Sequence, residues 1–495
     1  MLHLKATDIL KKPIEILAIP VCENLDMFEQ PDLAALVTQA KKRKEFTGKH
    51  QEELILYDPP GIQAARVVFL GLGKAEKMTT ETLRQLAGAA VKTATRKQLS
   101  ILTLAVPESG RLPLKQAAML QAMAEGAYLA NHLFDFYKSD KKDRPLGQLH
   151  LLTSPEARKQ FRGLIRQTEM ACEGTCLARD WVSMPPNDKK PARFAQLIAT
   201  LARKADIAVT ILNEKELHQL GFGAMLAVSA GSSNPPRLVI LEYRSGKTAE
   251  TIALVGKGVT FDSGGINLKP SGSLEDMKMD MAGAAAVAAA MIAIGKIKPP
   301  GRNIIAAIPI VENMPSGTAT RPGDIIKSYL GKTVEIGNTD AEGRLILVDT
   351  MAYVIRQYRP DALVDLATLT GACVVALGEK IAGVFSTDHA LAEMIVQTGE
   401  ETHERCWRLP LPEDYKELLK SDTADLKNVS GTRHGGAITA ALFLSDFIEK
   451  TRWAHIDIAG PAFAKKASAY CGAGGTGFGV RLLCSLLTKS ERIAG

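Results

Sequence analysis

Two short segments place ionisable side chains at a spacing that could support metal chemistry. The first is the octapeptide Asn338-Thr-Asp-Ala-Glu-Gly-Arg-Leu345, which carries Asp340, Glu342 and Arg344 at every second position. On an extended segment such residues share one face, so two anions and a cation would converge on one small volume. Taken alone, the triplet is more simply explained as a solvated charged face at the end of a strand.

A second segment about eighty residues upstream makes a functional site the better explanation than a solvated face. An apolar run at 251–255 indicates a buried strand that leads into a glycine-rich turn with Lys257 and Asp262, and Lys269 follows. The glycines allow positive φ and a close approach to a ligand, but neither a P-loop nor a G-x-G-x-x-G spacing is present. Asp280 opens a helix-like run over 281–294, where it could also serve as a simple helix cap.

The residue types in these segments restrict the kind of metal site. None of the nine histidines lies in either segment, and neither H-E-x-x-H nor C-x-x-C occurs. Asp and Glu oxygens, with a Lys nitrogen as an unusual addition, suit Mg²⁺ or Mn²⁺, and Zn²⁺ also accepts carboxylates. Three Asp and one Glu favour a pair of dications with shared carboxylates, which would also favour a neutral Lys ligand. Such pairs activate water against either a carbonyl or a phosphoryl group.

Together these motifs resemble the leucyl aminopeptidase (cytosol aminopeptidase) family of the bacterial type. The resemblance rests on Lys257-Gly-Val-Thr-Phe-Asp262-Ser-Gly-Gly, Lys269-Pro, Met277-Lys-Met-Asp280-Met-Ala-Gly and the octapeptide at 338–345. Further matching motifs are Thr368-Leu-Thr-Gly371, Gly435-Gly-Ala-Ile-Thr439, Trp453-Ala-His-Ile-Asp-Ile-Ala-Gly460, Thr476-Gly-Phe-Gly-Val-Arg481, Pro185-Pro-Asn187 and Gly231-Ser-Ser-Asn-Pro-Pro236. The motifs cover roughly residues 175–495, whereas the first ~160 residues resemble the family only in length and α/β pattern.

The resemblance implies two divalent ions, Mn²⁺ or Zn²⁺, in each subunit. The residues implied to hold one ion are Lys257, Asp262, Asp280 and Glu342, and those implied to hold the other are Asp262, Asp340 and Glu342. It further implies that Lys269 stabilises the gem-diolate formed from the scissile carbonyl, and that Arg344 holds a bicarbonate ion as general base.

The resemblance also implies the substrate and the assembly. Peptides with a free N-terminus would place the α-amine at Asp280, and Met277, Thr368 and Gly371 would line the pocket for the first side chain, with leucine and similar apolar residues preferred. A homohexamer is implied as well. Because paired metals also serve phosphoester hydrolases, the residues alone leave that reaction as an alternative.

Length, composition and the distribution of apolar stretches and cysteines indicate the broad class of protein. With 495 residues and 46% hydrophobic composition, the chain can form two or three domains with a substantial core. No long apolar h-region follows the amino terminus, because Lys11-Lys12-Pro13 interrupts it, and the apolar stretch at 282–294 is too short to span a membrane. Seven scattered cysteines argue against a disulfide framework. We therefore expect a cytoplasmic protein without a membrane segment.

Alternation of strand-like and helix-like runs predicts an α/β protein of two domains, each a mixed, mostly parallel sheet flanked by helices, with the catalytic domain C-terminal. We predict an N-terminal domain at 1–154, a linking helix at 155–184 and the catalytic domain at 185–495. Predicted strands lie at 14–19, 54–57, 67–72, 101–106, 149–152, 209–212, 238–243, 252–255, 304–310, 362–366 and 455–458. Predicted helices in the first part lie at 80–95 and 114–137.

Charge suggests a second role for the first domain. The net charge is +7, and residues 1–160 hold 23 Lys and Arg against 18 Asp and Glu. Basic runs lie at Lys41-Lys-Arg-Lys44 and across 138–144, and such runs can neutralise phosphates, although a solvated surface is the simpler explanation. Because some bacterial members of the family are also DNA-binding accessory proteins, DNA binding by this domain, with or without peptidase activity, is kept as an alternative.

Overall fold

The computed structural model describes residues 2–42, 46–108, 110–141, 144–246, 249–489 and 491–493. It divides into two compact units. Unit 1 comprises Met1–Cys172 with Lys466–Ala473, and unit 2 comprises Glu173–Lys465 with Gly474–Gly495. Each unit contains its own sheet, and in each most of the strand pairs are parallel. The predicted α/β class with mixed, mostly parallel sheets flanked by helices is confirmed.

Unit 1 is built on a six-stranded sheet. Its strands are β1 (Leu2–Ala6), β2 (Leu17–Cys22), β3 (Glu53–Tyr57), β4 (Arg66–Gly73), β5 (Ile101–Ala105) and β6 (Gln148–Thr153). Its helices are α1 (Pro31–Lys41), α2 (Thr80–Arg96), α3 (Gln116–Ala130), α4 (Pro155–Gln160) and the start of α5 (Arg162–Ser183). The strand order is β1-β6-β5-β2-β4-β3, and only β3 is antiparallel to its neighbour.

Three predictions in unit 1 were wrong in their boundaries. The strand predicted at 14–19 is β2, which runs from Leu17 to Cys22. It can include Pro20 because β2 pairs with β5 only at Leu17 and Ala18, so the proline lies beyond that pairing. The helix predicted at 114–137 ends at Ala130 because the next side chain, Asn131, bonds both backbone groups of Leu146. The single linking helix predicted at 155–184 is two helices, α4 and α5, with Phe161 between them.

Unit 2 contains a nine-stranded sheet, a three-stranded sheet (β12-β13-β17), a two-stranded sheet (β19-β20) and the helices from α6 onward. The strands are β7 (Ala208–Leu212), β8 (Arg237–Tyr243), β9 (Glu250–Gly256), β10 (Gly258–Asp262), β11 (Arg302–Asn313), β12 (Ile325–Lys327), β13 (Thr333–Glu335), β14 (Ala362–Ala367), β15 (Ala382–Ser386), β16 (Cys406–Arg408), β17 (Leu426–Lys427), β18 (Arg452–Asp457), β19 (Phe463–Ala464) and β20 (Gly474–Gly475). The helices are α6 (Pro191–Lys204), α7 (Glu214–Leu220), α8 (Gly223–Ser229), α9 (Ser271–Leu274), α10 (Ala282–Ile297), α11 (Glu342–Tyr358), α12 (Gly371–Leu377), α13 (His389–Thr402), α14 (Gly436–Ser445) and α15 (Val480–Thr488).

The large sheet has the order β16-β15-β18-β14-β9-β11-β8-β7, and β10 pairs with the far end of β11. Its central strands β9, β11, β14 and β18 are parallel. Because strands buried on both faces need apolar side chains throughout, β11 and β14 are buried along their whole length. The centre of unit 2 is therefore formed by parallel strands that are buried on both faces.

Helix α10 is an alanine-rich helix that packs on β9, β11 and β14. Its small side chains are buried all round, from Ala282 to Gly295. A helical stretch that includes it, Ser271–Ile297, has the length and apolar composition to cross a membrane, but 89% of its apolar window is buried within the chain. It is a core helix of unit 2, and its position fixes the residues just before it.

Candidate metal centre

Four segments of unit 2 bring the predicted ionisable residues together at one edge of the sheet. Lys257 follows β9, and Thr368 lies just beyond β14, the parallel neighbour of β9. Asp262 ends β10, and Asp280 lies between a 3₁₀ turn and α10. Glu342 begins α11. Carboxyl ends of parallel strands are where α/β sheets usually bind ligands, and here they collect acidic and basic side chains.

Lys257 lies at the centre of this cluster. Its Nζ donates to Asp280 Oδ1 at 2.7 Å and to the Thr368 carbonyl at 2.8 Å, and it lies 2.9 Å from Glu342 Oε1. The side chain is 3% exposed. Burial alone lowers the pKa of Lys257, but the carboxylates of Asp280, Glu342 and Asp262 outweigh burial and raise it. Without a metal ion, an ammonium group therefore supplies the positive charge here.

Three buried carboxylates form a group that could hold a cation. One oxygen of each of Asp262, Asp280 and Glu342 lies within 4.8 Å of the others. Asp280 Oδ2 and Glu342 Oε2 are buried and have no hydrogen-bond partner among the residues that the structure describes. Burial raises the pKa of Asp280 to about 6 and that of Glu342 to about 8, with Asp262 adding to both and Lys257 opposing. Buried carboxylate oxygens without partners are costly, and a divalent ion would satisfy them, so the donor set fits a hard metal.

Lys269 and Asp340 extend the cluster on one side. Lys269 Nζ lies 2.8 Å from Asp262 Oδ2 and 2.6 Å from Asp340 Oδ1. Burial lowers the pKa of Lys269, but Asp262 and the other nearby carboxylates raise it overall. Asp340 is less buried than the other acids, and burial raises its pKa. Lys269 thus joins Asp340 to the buried carboxylates through Asp262.

Asp262 is oriented by neutral donors on its other oxygen. Its Oδ1 accepts from the Gly264 N–H at 2.9 Å and from Asn313 Nδ2 at 2.8 Å. Asn313 is the last residue of β11 and also donates to the Thr339 carbonyl. Sequence reasoning missed Asn313, and a polar residue closing a long apolar strand was its only signal. It connects the strand end to the loop that carries Asp340.

The octapeptide is not extended, so that expectation was wrong. α11 begins at Glu342, which places Glu342 and Arg344 in the first helical turn and Asp340 in the turn before it. Successive residues of a helix turn by about 100°, so Arg344 does not share a face with Glu342. The helix satisfies the backbone hydrogen bonds of this segment, and the Glu342 side chain on its first turn joins the carboxylates of Asp262 and Asp280.

Arg344 points instead toward a buried asparagine. Its Nη1 donates to the Asn428 carbonyl at 2.7 Å, and its Nε is buried without a partner. Burial lowers the pKa of Arg344 to about 10, against the influence of Glu342 and Asp457. The Asn428 side chain in turn bonds the backbone of Gly337 and Asn338. Asn428, also missed from the sequence, therefore ties Arg344 to the start of the octapeptide.

The residues predicted to contact substrate occupy different settings. Thr368 donates to Asp280 Oδ1 at 2.7 Å and belongs to the cluster. Met277 is half-buried on the 3₁₀ turn Met277–Met279 that leads to Asp280. Gly371 is the exposed first residue of α12, and a Cβ added there would meet no atom within 4 Å. Asp280 is not a helix cap, since the N-cap of α10 is Met281 and the Asp280 side chain bonds Lys257 and Thr368.

Gly343 is a further residue that the sequence did not reveal. A Cβ at this position would lie 2.4 Å from Lys257 Cε and 2.7 Å from its Nζ. The absence of a side chain on the first turn of α11 therefore leaves room for the central ammonium group. A glycine inside a helix is otherwise unfavourable by about 1 kcal/mol relative to alanine.

We predict that Gly343→Ala displaces the Lys257 ammonium from Asp280 and Glu342. The variant should unfold at a lower temperature and bind Mn²⁺ at least about tenfold more weakly, as measured by thermal unfolding and calorimetry. Gly272→Ala is the matched control, because its Cβ meets nothing within 4 Å. If Gly343→Ala is more stable than the parent, as helix propensity alone would give, and binds Mn²⁺ equally well, the assigned steric role of Gly343 is wrong.

Two protein-family models match this chain. Residues 176–484 match the model of the cytosol aminopeptidase family catalytic domain, and residues 27–141 match the model of its N-terminal domain. A probable cytosol aminopeptidase of Syntrophotalea carbinolica is 45% identical over 478 residues, which covers 95% of this chain and 94% of that protein.

Two solved structures are similar over nearly the whole chain. The bottromycin maturation enzyme BotP in complex with Mn has a TM-score of 0.86 and 36% identity, covering 96% of this chain and 99% of BotP. A mutant of tomato leucine aminopeptidase has a TM-score of 0.87 and 34% identity, covering 98% of this chain and 96% of that protein. The predicted family is thereby confirmed: this chain belongs to the cytosol aminopeptidase family and is an enzyme of the aminopeptidase class.

Proposed function

We propose that the chain removes single residues from the free N-terminus of peptides, with leucine and similar apolar residues preferred, using two divalent ions of Mn²⁺ or Zn²⁺. The observation that carries the proposal is the buried group of Asp262, Asp280 and Glu342, with two carboxylate oxygens that lack partners. The Lys257 ammonium forms ion pairs with Asp280 and Glu342, and the Lys269 ammonium forms one with Asp262.

Lys257, Asp262, Asp280 and Glu342 would hold one ion, and Asp262, Asp340 and Glu342 would hold the other. Two such ions would lower the pKa of water and polarise the scissile carbonyl. The partnerless oxygens of Asp280 and Glu342 support this assignment. The ion pairs of Lys269 with Asp262 and Asp340 support it too, because they show that both carboxylates lie within reach of one cation.

Lys269 and Arg344 are the proposed catalytic residues. Lys269 is 16% exposed and so can face a substrate while its ammonium stays beside the acids. It would stabilise the negative charge that develops on the carbonyl oxygen. Arg344 would hold bicarbonate through its buried Nε, which has no hydrogen-bond partner among the described residues, and bicarbonate held there would supply a general base.

Asp280 would receive the α-amine of the substrate, which restricts cleavage to the first peptide bond. Thr368, Met277 and Gly371 would line the pocket for the first side chain. The open space above Gly371 and the half-buried thioether of Met277 support an apolar pocket. A blocked amine could not bond Asp280 and would leave that buried carboxylate poorly satisfied.

The proposals for cellular location and oligomeric state rest on family membership. We propose a cytoplasmic homohexamer. DNA binding by unit 1 is a separate hypothesis, and Arg43, Lys44 and Lys142 of its two basic runs lie outside the described residues. Of the described members, Lys41 lies 3.8 Å from Asp26 and Lys141 lies 3.6 Å from Asp135. These acids partly neutralise the runs, so the two runs give DNA binding only slight support.

Hydrolysis of leucine p-nitroanilide tests the proposal. We expect chelated enzyme to be inactive and to regain activity with Mn²⁺ or Zn²⁺, because the clustered carboxylates need the ions. N-acetyl-leucine p-nitroanilide, assayed in parallel, should not be cleaved. Equal cleavage of the acetylated substrate would contradict the role of Asp280, and activity toward a phosphate ester instead would favour the alternative reaction.

Single substitutions should separate the ligands from the catalytic lysine. We predict that Glu342→Ala abolishes turnover and lowers metal content, because a shared ligand is removed. Lys269→Ala should keep its metal and lower kcat by roughly 10²–10³, as expected when one donor to the developing oxyanion is removed. Metal analysis and steady-state kinetics on the same preparations measure both effects. Wild-type kcat for Lys269→Ala would show that its assigned role is wrong.

A further inference from the structure

Unit 1 contains a basic groove between its edge strand β1 and the helices α4 and α5. The cavity has a volume of about 930 Å³. We define the basic groove by the cations that line it, which are Lys5, Lys12, Arg158, Lys159, Arg162 and Arg166. Only two acidic residues, Asp8 and Glu169, line it as well. None of its residues belongs to the basic runs at 41–44 and 138–144.

The cations of the basic groove outnumber the acidic residues that line it by six to two. Within the described ranges, none of the six makes a side-chain hydrogen bond or an ion pair with an acidic residue. The helix-borne arginines are exposed. Lys5 alone could be explained as protection of an edge strand against pairing with another chain. That explanation does not extend to Arg158, Arg162 and Arg166, which lie on helices.

The positions of two arginines are unfavourable for the helix that carries them. Arg162 is the first residue of α5, whose first turn contains no acidic residue. A cation at a helix N-terminus opposes the macrodipole, and Arg166 follows four residues later, where like charges repel. Helix stability therefore does not account for Arg162 and Arg166, whereas a bound anion would relieve both effects. Arg158 and Lys159 lie in the last turn of α4, where the macrodipole favours cations.

A buried histidine lies within the positive field beside the groove. His150 on β6 pairs in register with His3 on β1. Burial, together with Lys5 and His3, lowers the pKa of His150 to about 4. The imidazole thus stays neutral next to the lysine, and the concave shape of the groove concentrates the field of its cations.

We propose that the basic groove binds a linear polyphosphate, independently of the peptidase reaction. Its volume falls in the range of small-ligand sites, roughly 300–1,000 Å³. Among the described residues, the one aromatic ring that lines it is the imidazole of His3, so it lacks the Phe, Tyr or Trp platform on which single-strand binding proteins stack successive bases. Arg162 and Arg166 are about 6 Å apart along the helix axis at ~1.5 Å per residue, and guanidinium groups bind phosphate oxygens bidentately. A row of cations suits a chain of phosphates better than a single phosphate.

Equilibrium dialysis of the full-length enzyme against radiolabelled tripolyphosphate tests the proposal. We expect saturable binding that weakens between about 50 mM and 200 mM NaCl. The double variant Arg162→Glu, Arg166→Glu should bind roughly 100-fold more weakly, at about tenfold for each guanidinium group that is removed. If that variant fails to fold, Arg162→Gln, Arg166→Gln should weaken binding in the same direction. Intact aminopeptidase activity reports correct folding, because these residues lie outside the candidate metal centre.

The matched control is Lys138→Glu, Lys141→Glu, which changes the net charge equally within a basic run. It should bind tripolyphosphate within about threefold of the parent. Polyphosphates also chelate divalent ions, and this contribution to the measured binding is the same in all preparations. The difference in binding between the variants therefore measures binding at the basic groove. ATP should bind no more tightly than tripolyphosphate. An equal loss of binding in both double variants, no loss in either, or a DNA duplex that binds and is not displaced by tripolyphosphate would each overturn the proposal.

Discussion

The burial of acidic groups against two ammonium groups is the constraint on which the site of unit 2 depends. Asp262, Asp280 and Glu342 are removed from water at one sheet edge, where the cost of an unpaired charge is several kcal/mol. Lys257 and Lys269 offset part of that cost through close ion pairs. Within the described part of the chain, two carboxylate oxygens of this group have no hydrogen-bond partner, and a divalent ion would satisfy them.

The fold places these groups with elements that have little freedom to move. Lys257 and Thr368 follow adjacent parallel strands at the middle of the sheet, and the buried helix α10 fixes Asp280. Two asparagines with no charge of their own, Asn313 and Asn428, connect the strand ends to the loop before α11. Preorganisation of this kind is what a pair of metal ions and a polarised carbonyl require.

The chemistry of the site could be predicted from the sequence because ligand types and family motifs are local. The octapeptide at 338–345 contributes Glu342 to the carboxylate group, but its predicted extended conformation was wrong, since alternation of charges resembles a strand whereas Glu342 begins a helix. Gly343 gave no signal, because its role is to leave space for Lys257, which lies far away in sequence. Asn313 and Asn428 were missed because the backbone groups that they bond also lie far away in sequence.

The fold was predictable where apolar runs are long. The central strand predicted at 252–255 agrees with β9, and that at 362–366 with β14. Short strands such as β12 and β17, of three and two residues, depend on tertiary pairing that no local pattern encodes. Asn131 ended a helix by bonding a segment far along the chain. Boundaries set by such tertiary bonds lie beyond what periodicity can predict.

Calorimetric titration of the chelated enzyme with Mn²⁺, at pH 8 and pH 6 in buffers of different ionisation enthalpy, tests the central claim most directly. The pKa of Glu342 is raised to about 8 and that of Asp280 to about 6, so protons occupy these carboxylates as the pH falls and must leave when a metal binds. We predict two ions per chain, proton release on binding, and weaker binding at pH 6 than at pH 8. Binding of fewer than two ions, or binding with neither proton release nor pH dependence, would contradict the claim.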